Sequence, residues 1–454
     1  MMSYAVVNPA TGEKVADYPE ITDAALEQAI AGAYAATRGW GRSTTVAERA
    51  AIVAKIGDLH NERREELAQA LVEEMGKPLS HAYGEIDFAA DIYRYHAEIA
   101  EAELADEVIE LRGGEGSAII RNAPLGVILG IMPWNFPFYQ VARFAGPNLA
   151  IGNSVLLKPA PQCPHTAELI QKIYDDAGAP AGAFTAILAS NEQIGTVIAD
   201  PRVAGISLTG SERAGSAVAE QAGRHLKKVV LELGGTDPFV VLSTNDLDAV
   251  VADLVSARLD NTGQSCNAPK RAIVMADLYE EFTAKLTEAM SVIEATEPLS
   301  DGDAGPVSSE VAAARLEDQV QRAAAAGGTI TAGGTRKGAF FAPTVITDIP
   351  RDSAIYREEM FGPVALVYKV ADEAEAIEVA NDTPYGLGSY VYTTDPAQAE
   401  RVANAIDAGM VFVNCVLADA VELPFGGVKR SGFGREMGRL GATEFVNKKL
   451  IRTA

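Results

Sequence analysis

The chain has 454 residues, of which 48% are hydrophobic and 22% are charged. This composition is typical of a soluble globular protein that is too long for a single hydrophobic core. The formal net charge of −24 at pH 7 argues against non-specific nucleic-acid binding, which needs a basic surface. The longest apolar run, residues 126–138, is too short to span a bilayer and contains Asn135 and two prolines.

The cysteine content and the N-terminus indicate a reducing compartment. Cys163, Cys266 and Cys415 lie far apart, and no CxxC motif or Cys/His pair is present. The sequence therefore predicts neither a disulfide framework nor a metal site. The first residues lack the basic and apolar regions of a secretory signal. We expect a cytoplasmic protein that binds no membrane.

The N-terminal part of the chain is predicted to be helical over residues 22–105, where Thr45 and Glu48 form a capping box. From about residue 117 short β-type runs alternate with helical stretches such as 165–178 and 211–226. This alternation predicts a parallel α/β sheet. The strand candidates are residues 126–133, 154–160, 181–189, 203–210 and 227–235.

A second series of the same kind follows Gly235 and predicts a second α/β domain of similar size. Glycine- and proline-rich residues 301–306 and 332–343 are predicted loops. The C-terminal residues 447–454 are a candidate last strand, of the type that pairs with a neighbouring subunit. The strand candidates of the second series are residues 239–243, 271–275, 343–347, 364–370, 389–393 and 409–414.

Cys266 lies in the polar stretch NTGQSCNAPKR, residues 261–271. A lone cysteine is most often a small buried apolar residue. Gln264, Ser265 and Asn267 leave little apolar packing around it, so a nucleophile is an equally good interpretation. All five histidines precede Cys266 in the chain, which disfavours a papain-like arrangement.

Three further motifs could carry chemistry. Glu232 ends an apolar strand before two glycines, where burial would raise its pKa and suit a general base, although a solvent-facing edge residue is the simpler interpretation. Asn135 is held in a proline-bounded turn and could donate to an oxyanion or only form the turn. Residues 206–215 are predicted to form a strand, a glycine-containing turn and the start of a helix. The N–H groups at such a helix start suit a pyrophosphate, but the segment lacks the full G-x-G-x-x-G pattern.

Together with residues 156–160, 358–363 and 424–436, these motifs closely resemble the aldehyde dehydrogenase superfamily over nearly the whole chain, and within it the succinate-semialdehyde dehydrogenases. The resemblance implies an α/β fold with two Rossmann-like parallel-sheet domains and a small β oligomerisation arm. It also implies a homodimer or homotetramer. The implied divisions are 1–105 and 123–232 for cofactor binding, 233–425 for catalysis, and 106–122 and 430–454 for the arm.

The resemblance assigns a role to each catalytic candidate. It implies that the Cys266 thiolate attacks the aldehyde carbon, and that Asn135 and the backbone N–H of Cys266 hold the oxyanion. A hydride then leaves for a nicotinamide coenzyme. Glu232 would activate the water that hydrolyses the thioester to a free acid.

The resemblance also implies a coenzyme site and a substrate contact. Many NAD-preferring relatives carry a glutamate where this chain has Pro161, so a 2′-phosphate would meet no repulsion and could pair with Lys158. We therefore expect NADP, with NAD possible. Arg143 is expected to hold the distal carboxylate of the substrate, or alternatively to cap its helix or tie domains together. The expected coenzyme contacts are Trp134, Lys158, Pro159, Ala160, Pro161, Gly210, Ser211, Leu233, Glu359 and Phe361.

Other functions fit parts of this pattern. A CoA-acylating semialdehyde dehydrogenase would not need Glu232 as a base. A cysteine hydrolase would leave the coenzyme motifs without a role, and an inactive binding protein would not need cysteine, glutamate and asparagine together. An enzyme acting on another small or aromatic aldehyde is the remaining alternative.

Overall fold

A computed structural model describes residues 4–300 and 302–454. The predicted capping box is present: the Glu48 amide donates to the Thr45 hydroxyl over 3.2 Å, and the Thr45 amide donates to the Glu48 carboxylate over 2.7 Å. No helix in the described ranges has the length and apolar character to cross a bilayer. The helices are α1 (Asp23–Arg38), α2 (Trp40–Ser43), α3 (Val46–Glu62), α4 (Arg64–Met75), α5 (Leu79–Glu103), α6 (Pro137–Ile151), α7 (Pro164–Asp176), α8 (Asn191–Ala199), α9 (Glu212–Arg224), α10 (Leu247–Leu259), α11 (Tyr279–Ser291), α12 (Glu310–Ala325), α13 (Glu373–Asn381), α14 (Pro396–Ala405) and α15 (Gly438–Ala442).

The strands follow the predicted runs closely, because a strand covered on both faces is apolar throughout and easily recognised in a sequence. The strands are β1 (Tyr4–Val7), β2 (Lys14–Tyr18), β3 (Glu107–Ile109), β4 (Ser117–Pro124), β5 (Val127–Ile131), β6 (Ser154–Lys158), β7 (Phe184–Ala186), β8 (Val203–Thr209), β9 (Lys228–Glu232), β10 (Pro238–Val241), β11 (Arg271–Met275), β12 (Thr329–Ala332), β13 (Arg336–Lys337), β14 (Phe340–Phe341), β15 (Thr344–Thr347), β16 (Val364–Val370), β17 (Tyr390–Tyr392), β18 (Phe412–Val413), β19 (Gly432–Phe433) and β20 (Val446–Thr453).

Two large sheets form the centre of the molecule, as the alternation of strands and helices predicts. One has six strands in the order β19-β9-β8-β5-β6-β7, and only β19 runs antiparallel to its neighbour. The other has seven strands in the order β12-β15-β16-β11-β10-β17-β18, with β12 antiparallel to β15. Each sheet is covered by helices, which gives the α/β class expected from the sequence.

A three-stranded antiparallel sheet, β20-β4-β3, forms the small β arm. Its C-terminal strand begins at Val446, so residues 430–445 do not belong to the arm sheet as their grouping at 430–454 implied. Instead β19 pairs with β9 of the six-stranded sheet. The short strand was not foreseen because glycines dominate residues 426–434 and hide any alternating pattern.

Two small hairpins differ from the sequence expectations. β1 and β2 pair near the N-terminus, in a stretch without a predicted element. β13 and β14 pair inside residues 332–343, which were predicted to be a loop. Both pairs are short, and their register rests on a few residues, so no strand-length apolar pattern announces them.

Candidate active site

The loop that carries Cys266 leads from α10 into β11. It contains one 3₁₀ turn, Asp260–Gly263, in which Asn261 (φ 49°) and Thr262 (φ 55°) take the left-handed conformation. That conformation is costly for a β-branched residue such as Thr262. Side-chain contacts hold it: the Thr262 hydroxyl accepts from the Gly305 amide over 2.9 Å. Strained backbone of this kind is common at functional sites.

Two buried cations bind the loop through its carbonyl oxygens. The Lys270 ammonium donates to the main-chain oxygens of Ser265, Cys266 and Ala268. The Arg258 guanidinium donates to the main-chain oxygens of Gly263, Pro269 and Gly362. The conformation of the Cys266 loop is thus fixed from within by charged side chains that have no access to solvent.

Asn135 follows β5 and is joined directly to this loop. Its side-chain amide donates to the main-chain oxygen of Gln264 over 3.0 Å, and its carbonyl accepts from Gln140 over 3.0 Å. Asn261 in turn donates to the main-chain oxygen of Asn135 over 2.9 Å. Because a side-chain amide has two N–H groups, Asn135 keeps one that can serve an oxyanion near Cys266.

Glu232 ends β9 and is 1% exposed, which rules out the solvent-facing edge residue. Neither of its carboxylate oxygens has a hydrogen-bond partner in the described residues. Burial raises its pKa well above 4.5, an effect that nearby Glu436 reinforces and Arg143 opposes. The rise predicted from the sequence is therefore present.

The two glycines after Glu232 allow β9 to approach the Cys266 loop. A Cβ at Gly235 would lie 2.8 Å from the Cys266 carbonyl oxygen, and one at Gly234 would lie 2.3 Å from the Glu359 carboxylate. A side chain at Gly235 would collide with the main chain of Cys266, and one at Gly234 would force the Glu359 carboxylate to move. The Gly-Gly pair therefore brings the end of β9, the nucleophile loop and Glu359 together.

A cavity of about 430 Å³ opens beside Cys266. Burial raises the pKa of the Cys266 thiol to about 12, although Arg143 and Lys270 act to lower it. The thiol therefore needs a nearby base or cation to react as a thiolate. The side chains on the cavity wall include the aromatic residues Phe88, Phe136, Tyr139, Tyr390 and Phe425 and the polar residues His81, Asp260, Asn267 and Asp419.

A second cleft of about 400 Å³ is bordered by Trp134, Glu359 and Phe361. The Trp134 and Phe361 rings meet edge to face with centroids 5.8 Å apart. The Glu359 carboxylate accepts from the Gly235 amide over 3.1 Å and lies 3.5 Å from the Lys270 ammonium. Three expected coenzyme contacts therefore share one cleft, and Lys270 links this cleft to the nucleophile loop.

The other expected coenzyme contacts follow the carboxyl ends of β6, β8 and β9, where ligands bind in open α/β sheets. The Ser211 hydroxyl caps α9 by accepting from the Ala214 amide over 3.3 Å. The Gly210 amide donates to the main-chain oxygen of Glu232 over 2.9 Å. Leu233 packs against Gly215 of α9, so the glycine turn lies directly beside β9.

Comparison with known proteins decides the family. The profile described as "Aldehyde dehydrogenase family" matches residues 2–451. The chain belongs to the aldehyde dehydrogenase family. It is 49% identical over 453 residues to a protein from Deinococcus radiodurans named succinate-semialdehyde dehydrogenase [NADP(+)], covering 99% of this chain and 94% of the relative. A Mycobacterium avium protein of the same name is 44% identical, covering 99% of this chain and 96% of the relative.

A solved structure supports the same fold. The crystal structure of succinic semialdehyde dehydrogenase from Streptococcus pyogenes in complex with NADP+ superimposes with a TM-score of 0.96, at 39% identity and with 99% of each chain covered. The fold expected from the motifs, an α/β aldehyde dehydrogenase-like fold, is therefore confirmed.

In this aldehyde dehydrogenase the buried ammonium of Lys158 donates to the main-chain oxygen of Pro159 over 2.9 Å. Burial lowers its pKa to about 8. The adjoining Ala160 is buried, and the Pro161 carbonyl accepts from the Ala5 amide of β1 over 3.1 Å. Residue 161, a proline, places no carboxylate beside Lys158. The N-terminal hairpin, which was not predicted from the sequence, fixes this segment through its hydrogen bond to Pro161.

Arg143 of α6 is fully buried in this aldehyde dehydrogenase. Its side chain has no exposed surface, and its Nε lies 2.8 Å from the Glu436 carboxylate. It also donates to the hydroxyls of Tyr139 and Thr209. The guanidinium is occupied by protein groups and is not part of the cavity wall. Arg143 thus joins α6 to the C-terminal segment through Glu436, and its expected contact with the substrate carboxylate stays a prediction.

Several supporting residues of this aldehyde dehydrogenase escaped the sequence analysis. Glu85 accepts from the Phe138 amide over 2.9 Å at the start of α6, and Lys77 pairs with the same carboxylate. Arg315 and Arg322 of α12 border the cleft that Trp134, Glu359 and Phe361 line. A charged residue on an amphipathic helix is usually solvated, so the sequence carries no signal for these roles.

Proposed function

We propose that this aldehyde dehydrogenase oxidises succinate semialdehyde to succinate with NADP. The observation that carries the proposal is the hydrogen bond from the Asn135 side chain to the loop of Cys266, beside a cavity that Cys266 lines, with the strand end that follows the buried Glu232 packed against the same loop. The names of the relatives from Deinococcus radiodurans and Mycobacterium avium supply the aldehyde and the coenzyme.

The first step is attack of the Cys266 sulfur on the aldehyde carbon. Arg143 and Lys270 favour the thiolate, and the free N–H of Asn135 stabilises the oxygen that becomes negative. The tetrahedral carbon then collapses to a thioester as it loses its hydride. A nicotinamide coenzyme, when bound, would supply the hydride acceptor.

The second step is hydrolysis. Because burial raises the pKa of Glu232, its carboxylate is a stronger base than an exposed one and can take a proton from the attacking water. Gly235, three residues after Glu232, lies against the main-chain oxygen of Cys266. A hydrolytic role for Glu232 favours release of a free acid over transfer of the acyl group to CoA.

The residues around Lys158 fit NADP. The buried Lys158 ammonium donates to one main-chain carbonyl and lies 5.5 Å from the centroid of the Tyr4 ring, and it can pair with a 2′-phosphate. Pro161 presents no carboxylate that would repel that phosphate. Gly210 and Ser211 at the start of α9 would receive the pyrophosphate. Glu359 would hold the ribose next to the nicotinamide.

The test is an initial-rate assay with succinate semialdehyde that compares NADP with NAD. We expect NADP to be reduced faster than NAD. One succinate should form for each NADPH, and the reaction should need no CoA. A rate that depends on added CoA would instead identify an acylating enzyme. A cysteine hydrolase would consume ester substrates without producing reduced coenzyme.

A second candidate substrate is an uncharged aldehyde. The wall of the cavity carries Phe88, Phe136, Tyr139, Tyr390 and Phe425 but no lysine or arginine among the described residues. Aromatic side chains favour an apolar aldehyde. Butanal and benzaldehyde belong in the same assay, and a higher kcat/KM for either one would favour this candidate.

We further propose a homodimer or homotetramer built through the β arm. Val108 of β3 and Leu450 of β20 are 74% and 63% exposed. Apolar strand residues with so much exposed surface are typical of a face that another subunit covers. Light scattering of Leu450→Glu against the native protein tests this proposal. Three unpaired cysteines also fit our placement of the enzyme in the cytoplasm.

A further inference from the structure

The orientation of the Asn135 side-chain amide decides whether this residue can serve an oxyanion. An amide has an accepting oxygen and a donating nitrogen of nearly the same size, so a half-turn about its last bond exchanges the two. Only the orientation that directs the nitrogen toward the Cys266 loop supplies an N–H to the oxygen of the reacting aldehyde. The partners of the amide must therefore select that orientation.

Two hydrogen-bond partners select the same orientation of Asn135. The main-chain oxygen of Gln264 can only accept, and it lies 3.0 Å from Nδ2 of Asn135. The side-chain Nε2 of Gln140 can only donate, and it lies 3.0 Å from Oδ1 of Asn135. After a half-turn, the Asn135 oxygen would face the Gln264 carbonyl and its N–H groups would face those of Gln140, so both hydrogen bonds would be lost.

Gln140 makes no other side-chain hydrogen bond in residues 4–300 and 302–454. The residue is 1% exposed, and its Oε1 has no partner within the same ranges. Burial of an unpaired polar atom costs stability, a cost that a methionine of similar size would avoid. The hydrogen bond to Asn135 is therefore the contact that accounts for a glutamine at this position.

The start of α6 holds the backbone of Gln140 in place. The Gln140 amide donates to the main-chain oxygen of Phe136 over 2.9 Å. The Glu85 carboxylate accepts from the Phe138 amide over 2.9 Å and so satisfies one of the N–H groups that the first turn of a helix leaves without a partner. Because these two hydrogen bonds fix the first turn, the Gln140 side chain is a rigid support for Asn135.

We propose that Gln140 is a positioning residue, which directs the N–H group of Asn135 toward the oxyanion formed at Cys266. The inference rests on the proposed aldehyde oxidation and adds the residue that orients its oxyanion donor. Loss of an oxyanion donor lowers kcat about a hundredfold to a thousandfold. Without Gln140 the donor is still correctly oriented for part of the time, so we expect a smaller loss of about tenfold or more.

The first test measures kcat/KM for succinate semialdehyde and for butanal in Gln140→Met. This substitution removes the donor and nearly keeps the volume of the side chain. Both values should fall about tenfold or more and by the same factor, because the oxyanion is common to the two aldehydes. Gln69→Met, which changes an exposed glutamine on α4, is the matched control and should keep the native values.

A double-mutant cycle shows whether Gln140 acts through Asn135. If it does, Gln140→Met should cause no further loss of kcat/KM once Asn135→Ala has removed the amide. Alkylation of Cys266 by iodoacetamide forms no oxyanion, so its rate in Gln140→Met should equal the native rate. The same rate also reports that the Cys266 loop of this variant is folded.

The outcomes separate the inference from the proposed function. If the native enzyme oxidises neither aldehyde, the proposed function is wrong and the inference falls with it. If the native enzyme is active, the function stands, and three results would each overturn the role of Gln140. These are native rates in Gln140→Met, a loss confined to one aldehyde, and a loss that adds to that of Asn135→Ala. Slower alkylation would mean that Gln140 only supports the nucleophile loop, which also overturns the inference.

Discussion

The ammonium group of Lys270 donates a 2.7 Å hydrogen bond to the main-chain oxygen of Cys266. The same nitrogen lies 3.5 Å from the Glu359 carboxylate, in the cleft that Trp134 and Phe361 also line. One buried charge therefore contacts both the nucleophile loop and the residue expected to hold the nicotinamide ribose. Since both contacts are made by a single side chain, its removal should affect the reactivity of the thiol.

Lys270→Met should raise the pKa of the Cys266 thiol, because Lys270 lowers that pKa in the native protein. We expect the rate of Cys266 alkylation by iodoacetamide to shift to higher pH and kcat to fall about tenfold or more, since one pKa unit is a tenfold change in thiolate. The rates can be followed by mass spectrometry. Lys55→Met, at an exposed ion pair, is the control. An unshifted alkylation profile would contradict the prediction.

Glu232→Gln should stabilise the protein at pH 7.5 while slowing hydrolysis. The pKa of Glu232 is raised in the folded state, so the native protein binds more protons than the unfolded chain. The free energy of unfolding therefore falls as pH rises above about 4.5 toward the folded pKa. Glu232→Gln cannot ionise, so its free energy of unfolding does not fall in this way. We expect a difference of about 1–3 kcal/mol, the cost of an unpaired buried polar group.

Thermal unfolding of both proteins between pH 4 and pH 8 measures this effect. The difference in Tm should be largest at high pH and vanish near pH 4. Exposed Glu62→Gln should show no such trend. Glu232→Gln should also release one equivalent of reduced coenzyme in a burst and then stall as the thioester. A lower Tm at every pH would argue that Glu232 makes stabilising contacts.

Arg143→Ala should destabilise the protein by about 3–5 kcal/mol, because it leaves the buried Glu436 carboxylate without its cation. We expect kcat/KM to fall by a similar factor for succinate semialdehyde and for butanal. Urea unfolding and initial rates with both aldehydes provide the measurement, with the exposed Arg224→Ala as the control. A loss confined to succinate semialdehyde, at unchanged stability, would contradict this prediction and identify Arg143 as the carboxylate ligand.

Pro161→Glu should reverse the coenzyme preference. The new carboxylate would repel the 2′-phosphate near Lys158, so kcat/KM for NADP should fall about tenfold or more while that for NAD is retained. Initial rates with both coenzymes measure the change. Gln28→Glu adds the same charge on the exposed face of α1 and should leave the preference unaltered. Parallel losses for NADP and NAD would show that Pro161 has only a structural role.

The use of NADP should weaken as pH rises through 8. Burial lowers the pKa of Lys158 to about 8, so the free enzyme loses the positive charge that a 2′-phosphate needs above that pH. We expect KM for NADP to increase above pH 8 more steeply than KM for NAD. Lys158→Met should abolish the difference between the two slopes. Identical slopes in the native enzyme would place the phosphate elsewhere.

The sequence predicted the buried strands well because they are covered on both faces and remain apolar throughout. It also singled out Cys266, Glu232 and Asn135, since a lone cysteine in a polar loop and a carboxylate at the end of an apolar strand are unusual. The β19 strand and the N-terminal hairpin were missed because each pairs over too few residues to leave a pattern. Both of them nonetheless lie against segments of the site.

What the sequence alone determined is the family, the two α/β sheets and the residue types of the chemistry, because these depend on local patterns and specific motifs. What only the tertiary structure decided is the partner of each charge. Arg143 faces Glu436, and His81 is anchored to Asn261, 180 residues away in the chain. Such pairs are set by how the helices and loops pack, and no local pattern of residues records them.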